Sequence, residues 1–535
     1  MNYISRKRKW LPLVSLAAVA TLLLGSCTKK FEQYNTNPNG LYTNELSPDF
    51  HVVGDPLKQA QLNIYVSTPA WNTQLQQNLM GDVYSGYMSS PTPFANNINN
   101  LTYSLVDGWN TFPWDDAYTG VMSPLNYLFK SATAKNLAGF FAVAKIVRVE
   151  AMHRVSDIYG PIIYKNFGII NEDGSVSYDA QKDVYYSFFA DLDSAINILT
   201  PYGKLKSDSL ANYDLAYGGS YLGWLKMANT LRLRLALRIV NVDPTKAQTE
   251  GEKALANPAG LLTTNADNFN IAIGTTNHPL NVMNNSWGDC RSGAPLGSYL
   301  TGFNDPRTPK YMVPAADSAV LGQYEGIRSG INIDAKTRYG NYAAPVTFPS
   351  SIQLMVAAEA WFLKAEAALR GWAGAGNAQT DYETGIKTSF AQYGLDASAY
   401  ILDATSSAAP YIDPKAITPG QNDIPAGSPW LSTIKIAWSS STTLAGHLEQ
   451  VITQKWLAMY PDGQEAWTEF RRTGYPRLFP VVVNNSGGAI STTAFIRRIN
   501  FAQSERNTNP AGVAGAVQLL GGPDNGGTRL WWDHP

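Results

Sequence analysis

Apolar positions along most of the chain recur at the three- and four-residue spacing of a helix face. The spacing predicts helices near 52–88, 113–130, 136–159, 180–199, 216–240, 244–256, 352–371, 379–393 and 444–472. Many adjoin in pairs across short turns. Asp243-Pro244 marks a clear start, with Asp as N-cap and Pro at the first helical position. Ser177 and Asp179 offer a similar start before the helix near 180. Antiparallel helix pairs in series predict a mostly α fold of tetratricopeptide-like pairs. The periodicity lapses over 257–350, 395–435 and 480–530, of which the first is rich in Asn, Gly, Pro and Thr and the others similarly loopy. Loops of that length point to an irregular, loop-rich lobe or to function.

The first residues follow a different pattern. Arg6, Lys7, Arg8 and Lys9 precede an apolar run from Leu11 to Leu24, shorter than the ~18–20 residues that span a bilayer. A basic segment, a short apolar segment and small residues describe a secretory signal. Here Leu24-Gly25-Ser26 leads directly into Cys27, which resembles the bacterial lipobox, whose cysteine is lipidated and becomes the new N-terminus. Acyl chains bind membranes by ~0.8 kcal/mol per buried CH₂, so Cys27 is expected to anchor the protein. The expected organisation is a signal over 1–26, a lipidated tether and leading loop over 27–50, and one helical domain over 51–535.

Charge and cysteine content narrow the function classes. The whole chain has a formal charge of −1, and its first 26 residues hold four basic and no acidic side chains. The mature chain is therefore mildly acidic, which argues against nucleic acid as a partner. Cys290 is the one other cysteine, and only five histidines are present. Neither a disulfide framework, a thiolate metal cluster nor a zinc site is expected, and no cofactor is expected. The 14 Trp and 29 Tyr exceed what a core needs, so some rings are expected outside it, where flat apolar faces recognise sugars or peptides.

Several motifs then occur in order: AKIVRVEAMHRVSDIYGPIIY (Ala144–Tyr164), GWLKMANTLRLRLALRI (Gly223–Ile239), NDPR (Asn304–Arg307), AAEAWFLKAEAALRGW (Ala357–Trp372), QKWLAMYPDGQEAWTEFRRTGYPRL (Gln454–Leu478), RRINFAQSERNTN (Arg497–Asn509) and LWWD (Leu530–Asp533). Together they resemble the SusD/RagB family of surface lipoproteins, in its SusD-like branch, over nearly the whole mature chain. The resemblance implies a helical lipoprotein on the outer membrane, facing the cell exterior. It implies a SusC/RagA-like TonB-dependent transporter as partner, and capture of a glycan or peptide ligand without catalysis. In one respect the chain departs from the family, which often places acidic residues just after the lipidated cysteine; here Thr28, Lys29 and Lys30 come first.

Each motif also has a local reading. Arg234 and Arg238 share a helix face and are expected to pair with carboxylates of a neighbouring helix, such as Glu366 or Glu469. Glu359 and Glu366, seven apart, could face one way; paired carboxylates can do acid–base work, but a structural role is expected. Trp456 and Trp467 are expected in the core of a helical hairpin turned by Pro-Asp-Gly, and Trp114 is expected to pack with Tyr118. Ser432 and Lys435 have the S-x-x-K spacing of penicillin-binding enzymes, but the S-D-N and K-T-G companions are absent. Asn171–Ser175 is too short for an EF-hand loop and is expected to turn. The ligand candidates are rings in polar, Asn-rich stretches. They are Tyr84, Tyr87, Tyr103 and Trp109 in one stretch, and Trp287 in another beside Asn285 and Arg291. Rings for stacking with amides and charges for orientation suit a sugar or a peptide.

Overall fold

The longest helix, Ala138–Tyr159, shows why periodicity alone misjudges its environment. Nearly every residue from Val143 to Tyr159 is buried, apolar and charged alike, as expected of a helix packed on all sides. The computed structural model describes residues 48–534, and the proposed signal and lipidation site at Cys27 lie outside them. In chain order the main helices are α1 (His51–Ile64), α2 (Ser123–Ala134), α3 (Ala138–Tyr159), α4 (Gln181–Leu199), α5 (Tyr221–Arg238) and α6 (Pro244–Leu255). They continue as α7 (Ala294–Gly302), α8 (Ala357–Leu369), α9 (Ala378–Ala391), α10 (Leu444–Met459), α11 (Gly463–Thr473) and α12 (Pro510–Leu520). The fold is mostly α, as the spacing predicts.

Helices α3 and α4, α5 and α6, and α8 and α9 pack as pairs, and α5 also packs against α8. Caps set several of the starts. Asp243 Oδ1 accepts the Lys246 amide at 3.1 Å, and Thr443 Oγ1 accepts that of Gly446 at 3.0 Å. Asp179 is not a cap: it accepts the amides of Tyr164 and Lys165, both at 2.8 Å, and the N-cap of α4 is Ala180.

Two predicted helices are broken. The 52–88 pattern ends at Ile64 and resumes at Ala70, continuing as a π-helical segment, Gln74–Asp82. A Cβ on Gly81 would come within 2.8 Å of the Gln464 backbone, and one on Gly463 within 2.4 Å of Asp82. Glycine at both positions lets this segment rest directly on the start of α11. In the 352–371 pattern the first residues are a strand, Ser351–Met355, antiparallel to Phe269–Ala272 with Ile271 opposite Ile352. Residues 257–350 otherwise hold short helices and two further two-stranded ribbons, Met88–Ser89 with Arg291–Ser292 and Met312–Val313 with Ala344–Pro345. Asn171–Ser175 is a turn closed by the Asn171 amide on the Ser175 carbonyl at 2.8 Å.

A buried ion lattice ties five helices together. Arg234 of α5 grips Glu359 of α8 through two bonds of 2.8 and 2.7 Å. Arg238, one turn on, donates to Asp157 of α3 at 2.7 Å and also to Glu465 of α11. Arg472 of α11 holds Glu366 of α8 by two bonds of 2.7 Å, and Lys455 of α10 reaches Glu469 at 3.0 Å. Arg238 lies 3.2 Å from Glu469, as expected, while Glu366 belongs to Arg472. Arg472 holds the Glu366 carboxyl at about 2 against the opposing effect of burial. Trp456 and Trp467 are fully buried beside this lattice, and Trp114 stacks on Tyr178.

Candidate functional site

Register in the ribbon of Met88–Ser89 with Arg291–Ser292 builds the candidate site. Ser89 pairs with Arg291, so the loop after Ser89 and the loop before Arg291 leave the ribbon at one end. The second loop makes a π-helical turn over Val282–Trp287 and closes at Gly288, whose φ of 67° is the left-handed region glycine adopts freely. Trp287 is left half-exposed on that turn, with no ring partner among the described residues.

Polar contacts fix the surroundings of Trp287. Lys336 donates to the Trp287 carbonyl at 2.5 Å and to Asp289 Oδ1 at 2.6 Å. Thr92, from the loop after Ser89, donates to the same Asp289 oxygen at 2.5 Å. Two residues on, Phe94 meets Trp109 edge to face, with centroids 5.7 Å apart. Thr92 and Phe94 therefore connect the two predicted ligand tryptophans through one loop, and the Trp109 ring is half-buried against Phe94. Asn97 donates to the Ile333 carbonyl at 2.9 Å, drawing in the segment that carries Lys336.

Asn285 is exposed and accepts from Asn284 at 3.0 Å. Arg291 is otherwise occupied. Its Nη1 donates to Asn284 Oδ1 at 2.8 Å and its Nε to the Gly340 carbonyl at 2.8 Å. Partial burial lowers its pKa from the ordinary arginine value. All three of its nitrogens are spent on loop acceptors, so it braces the Trp287 turn against the 336–340 segment.

Tyr84, Tyr87 and Tyr103 are not part of this surface. Their exposures are 8%, 0% and 4%, and burial pushes all three hydroxyls up in pKa. Tyr84 packs on Trp467 at 5.1 Å, and Tyr87 packs on Trp456 at 5.0 Å and donates to the Trp456 carbonyl. The Asn-rich composition around them misleads because the amides serve the backbone. Asn99 Oδ1 accepts the Leu101 amide at 2.9 Å and Asn100 Oδ1 the Val106 amide at 2.9 Å. Such side chains fold a loop upon itself, and the rings beneath become core.

Sequence reasoning missed Lys336, which lies in no ring-bearing motif, and Thr92, which lies between the candidate rings but is not one of them; only chain reversal brings both to Asp289. Cys290 is buried and unpaired, and burial raises its thiol to about 12. Ser432 donates to Glu449 at 2.7 Å and Lys435 to the Thr405 carbonyl at 2.6 Å, so lysine and serine are bonded elsewhere. His153, Asp157 and Glu465 approach one another closely enough to hold a metal, but Arg238 already donates to both carboxylates.

With this geometry in place, comparison with known proteins is decisive. The SusD-like family profile, described as Susd and RagB outer membrane lipoprotein, matches residues 33–533. The chain belongs to the SusD/RagB family. A chitin-binding SusD homologue from Flavobacterium johnsoniae superposes with a TM-score of 0.85 at 44% identity, over 90% of this chain and 98% of that one. A SusD homologue from Bacteroides vulgatus gives 0.84 at 35% identity, over 91% and 98%. A SusD-like protein from Bacteroides thetaiotaomicron gives 0.83 at 34%, over 90% and 99%. No curated protein matches the chain. Among the described residues, no helix of this SusD/RagB protein is long and apolar enough to cross a membrane.

Proposed function

We propose that this SusD/RagB protein captures oligosaccharides of the chitin type at the Trp287 face, without turning them over. It would then pass them to a TonB-dependent transporter, while anchored to the outer membrane through Cys27. The observation that carries the reading is the half-exposed Trp287, on a turn whose carbonyl accepts from Lys336 and with no ring partner among the described residues. An indole in that position offers a flat apolar face to a pyranose. Asn285, Asp289 and Lys336 beside it supply the acceptors and donors that hydroxyl and acetamido groups require. Trp109, seated on Phe94, extends the face along the Thr92 loop. The chitin-binding homologue from F. johnsoniae supports a β-linked N-acetylglucosamine oligomer as the first ligand to test.

Calorimetric titration with chitooligosaccharides of increasing length is the direct test. Saturable binding that strengthens with length, with the oligomer recovered intact, is expected. Binding of short peptides in place of glycans, or release of shortened sugars, would overturn the reading.

A further inference from the structure

A separate concavity belongs to the helix pairs rather than to the Trp287 loops, and the two share no residue. It is a cleft of about 370 Å³ between α2, α3, α4 and the strand-like exit of α3. That volume is at the lower end of small-ligand sites, roughly 300–1,000 Å³.

Its floor is a stacked guanidinium. Arg148 lies between the rings of Phe129 and Tyr164, 4.6 and 4.8 Å from their centroids. The one carboxylate in the lining, Asp191, is saturated: it accepts from Lys145 at 2.7 Å, Arg148 at 2.5 Å and Tyr164 at 2.5 Å. Donors are left over. Arg148 spends only Nη2 on Asp191, its Nε is buried with no hydrogen-bond partner, and its Nη1 makes none. Lys165 at the rim is exposed and has no ion pair among the described residues. Phe167 and Tyr186, both half-exposed, supply aromatic walls.

An excess of cationic donors between aromatic walls selects a ligand with a negative acceptor on a body that has an apolar face. The geometry points to this cleft as a second binding site, for a carboxylate-bearing pyranose of the uronic acid type. Its carboxylate would meet Arg148 Nη1 and the Lys165 ammonium, both cationic donors that favour a charged acceptor. Its ring would lie against Phe167 or Tyr186. A neutral sugar would offer Nη1 only an uncharged hydroxyl oxygen, which makes the weaker hydrogen bond.

The test uses the intact mature protein and D-glucuronate, with the diglucuronide as a longer probe, titrated at low salt and followed by NMR or calorimetry. Saturable binding is expected, with glucose and methyl glucuronate weaker by about tenfold or more. Arg148→Gln strands Asp191 as well, so Lys165→Glu carries the decision, because that side chain is exposed and substitution there should leave the melting temperature unchanged. Lys165→Glu should weaken glucuronate about tenfold or more, while Trp287→Ala should leave it intact and so separate this site from the chitin-type face. A folded protein that does not bind glucuronate saturably, or binds it equally with Lys165→Glu, overturns the proposal. So does binding of N-acetylphenylalanine in place of glucuronate with the same Lys165 dependence, which would make the cleft a receptor for peptide carboxylates.

Discussion

Arg234 and Arg291 use their nitrogens in opposite ways. Arg234 faces carboxylates: Glu359 at 2.7 Å, with Glu150 and Glu465 at 3.7 Å, all buried. Arg291 hydrogen-bonds neutral oxygens, those of Gly340, Cys290 and Asn284, in a half-open wall. The first belongs to a lattice in which charge is cancelled and sealed between helices. The second belongs to loops where charge and amide groups are fixed but left near solvent, beside a half-exposed tryptophan. A residue type tells little by itself; what decides its use is whether its partners carry the opposing charge and whether they are buried with it.

The lattice should be the costlier to disturb. Glu359→Gln removes the carboxylate charge nearest Arg234 and weakens the hold on Lys455, which lies 3.5 Å from the same carboxylate. Breaking one partner of a buried pair costs ~3–5 kcal/mol, and urea unfolding should show a loss of that size. Glycan affinity of the folded fraction should stay unchanged. Trp467→Ala should cost a similar ~3–5 kcal/mol as a core aromatic truncation, again without direct effect on binding. A lattice variant that melts normally would erase the distinction between the two regions.

Acid should attack the lattice in a definite window. Glu366 titrates at about 2 in the fold, below its ordinary 4.5, because Arg472 and Arg370 oppose the effect of burial. A depressed folded pKa contributes stability in full above 4.5, and that stability is lost as pH falls from 4.5 toward about 2. Unfolding free energy measured across that range should decline, and Glu366→Gln should flatten part of the decline. The smallest effect tests the boundary between the regions. Tyr87→Phe removes the donor to the Trp456 carbonyl and should cost ~1–2 kcal/mol in melts or denaturation. It should leave glycan affinity unaltered, because the ring faces the core.

The helical half of the molecule was legible because its signals are local. Asp243-Pro244 capped a helix as written, and the seven-residue spacing of Glu359 and Glu366 put both on the buried face of α8. The strand at Ser351–Met355 was not legible, since its partner lies some eighty residues earlier and a short apolar run fits either period. For the candidate site, composition singled out Trp287, which is half-exposed, but also Tyr84, Tyr87 and Tyr103, which are buried. Asn99 and Asn100 resemble Asn284 and Asn285 in sequence, yet the first two cap backbone inside a folded loop and Asn285 stands exposed. Lys336 was invisible because its role depends on a chain reversal that no local pattern encodes.

The central claim is that the loops around Trp287 bind ligand while the helix lattice only supports them. Calorimetric titration of a chitooligosaccharide into the wild-type protein and Trp287→Ala, with a thermal melt of each, tests it most directly. The account predicts a loss of roughly 1–3 kcal/mol in binding, the range for a well-buried contact residue, with an almost unchanged melting temperature. Wild-type affinity in Trp287→Ala, or a binding loss that merely follows a fallen melting temperature, would contradict it.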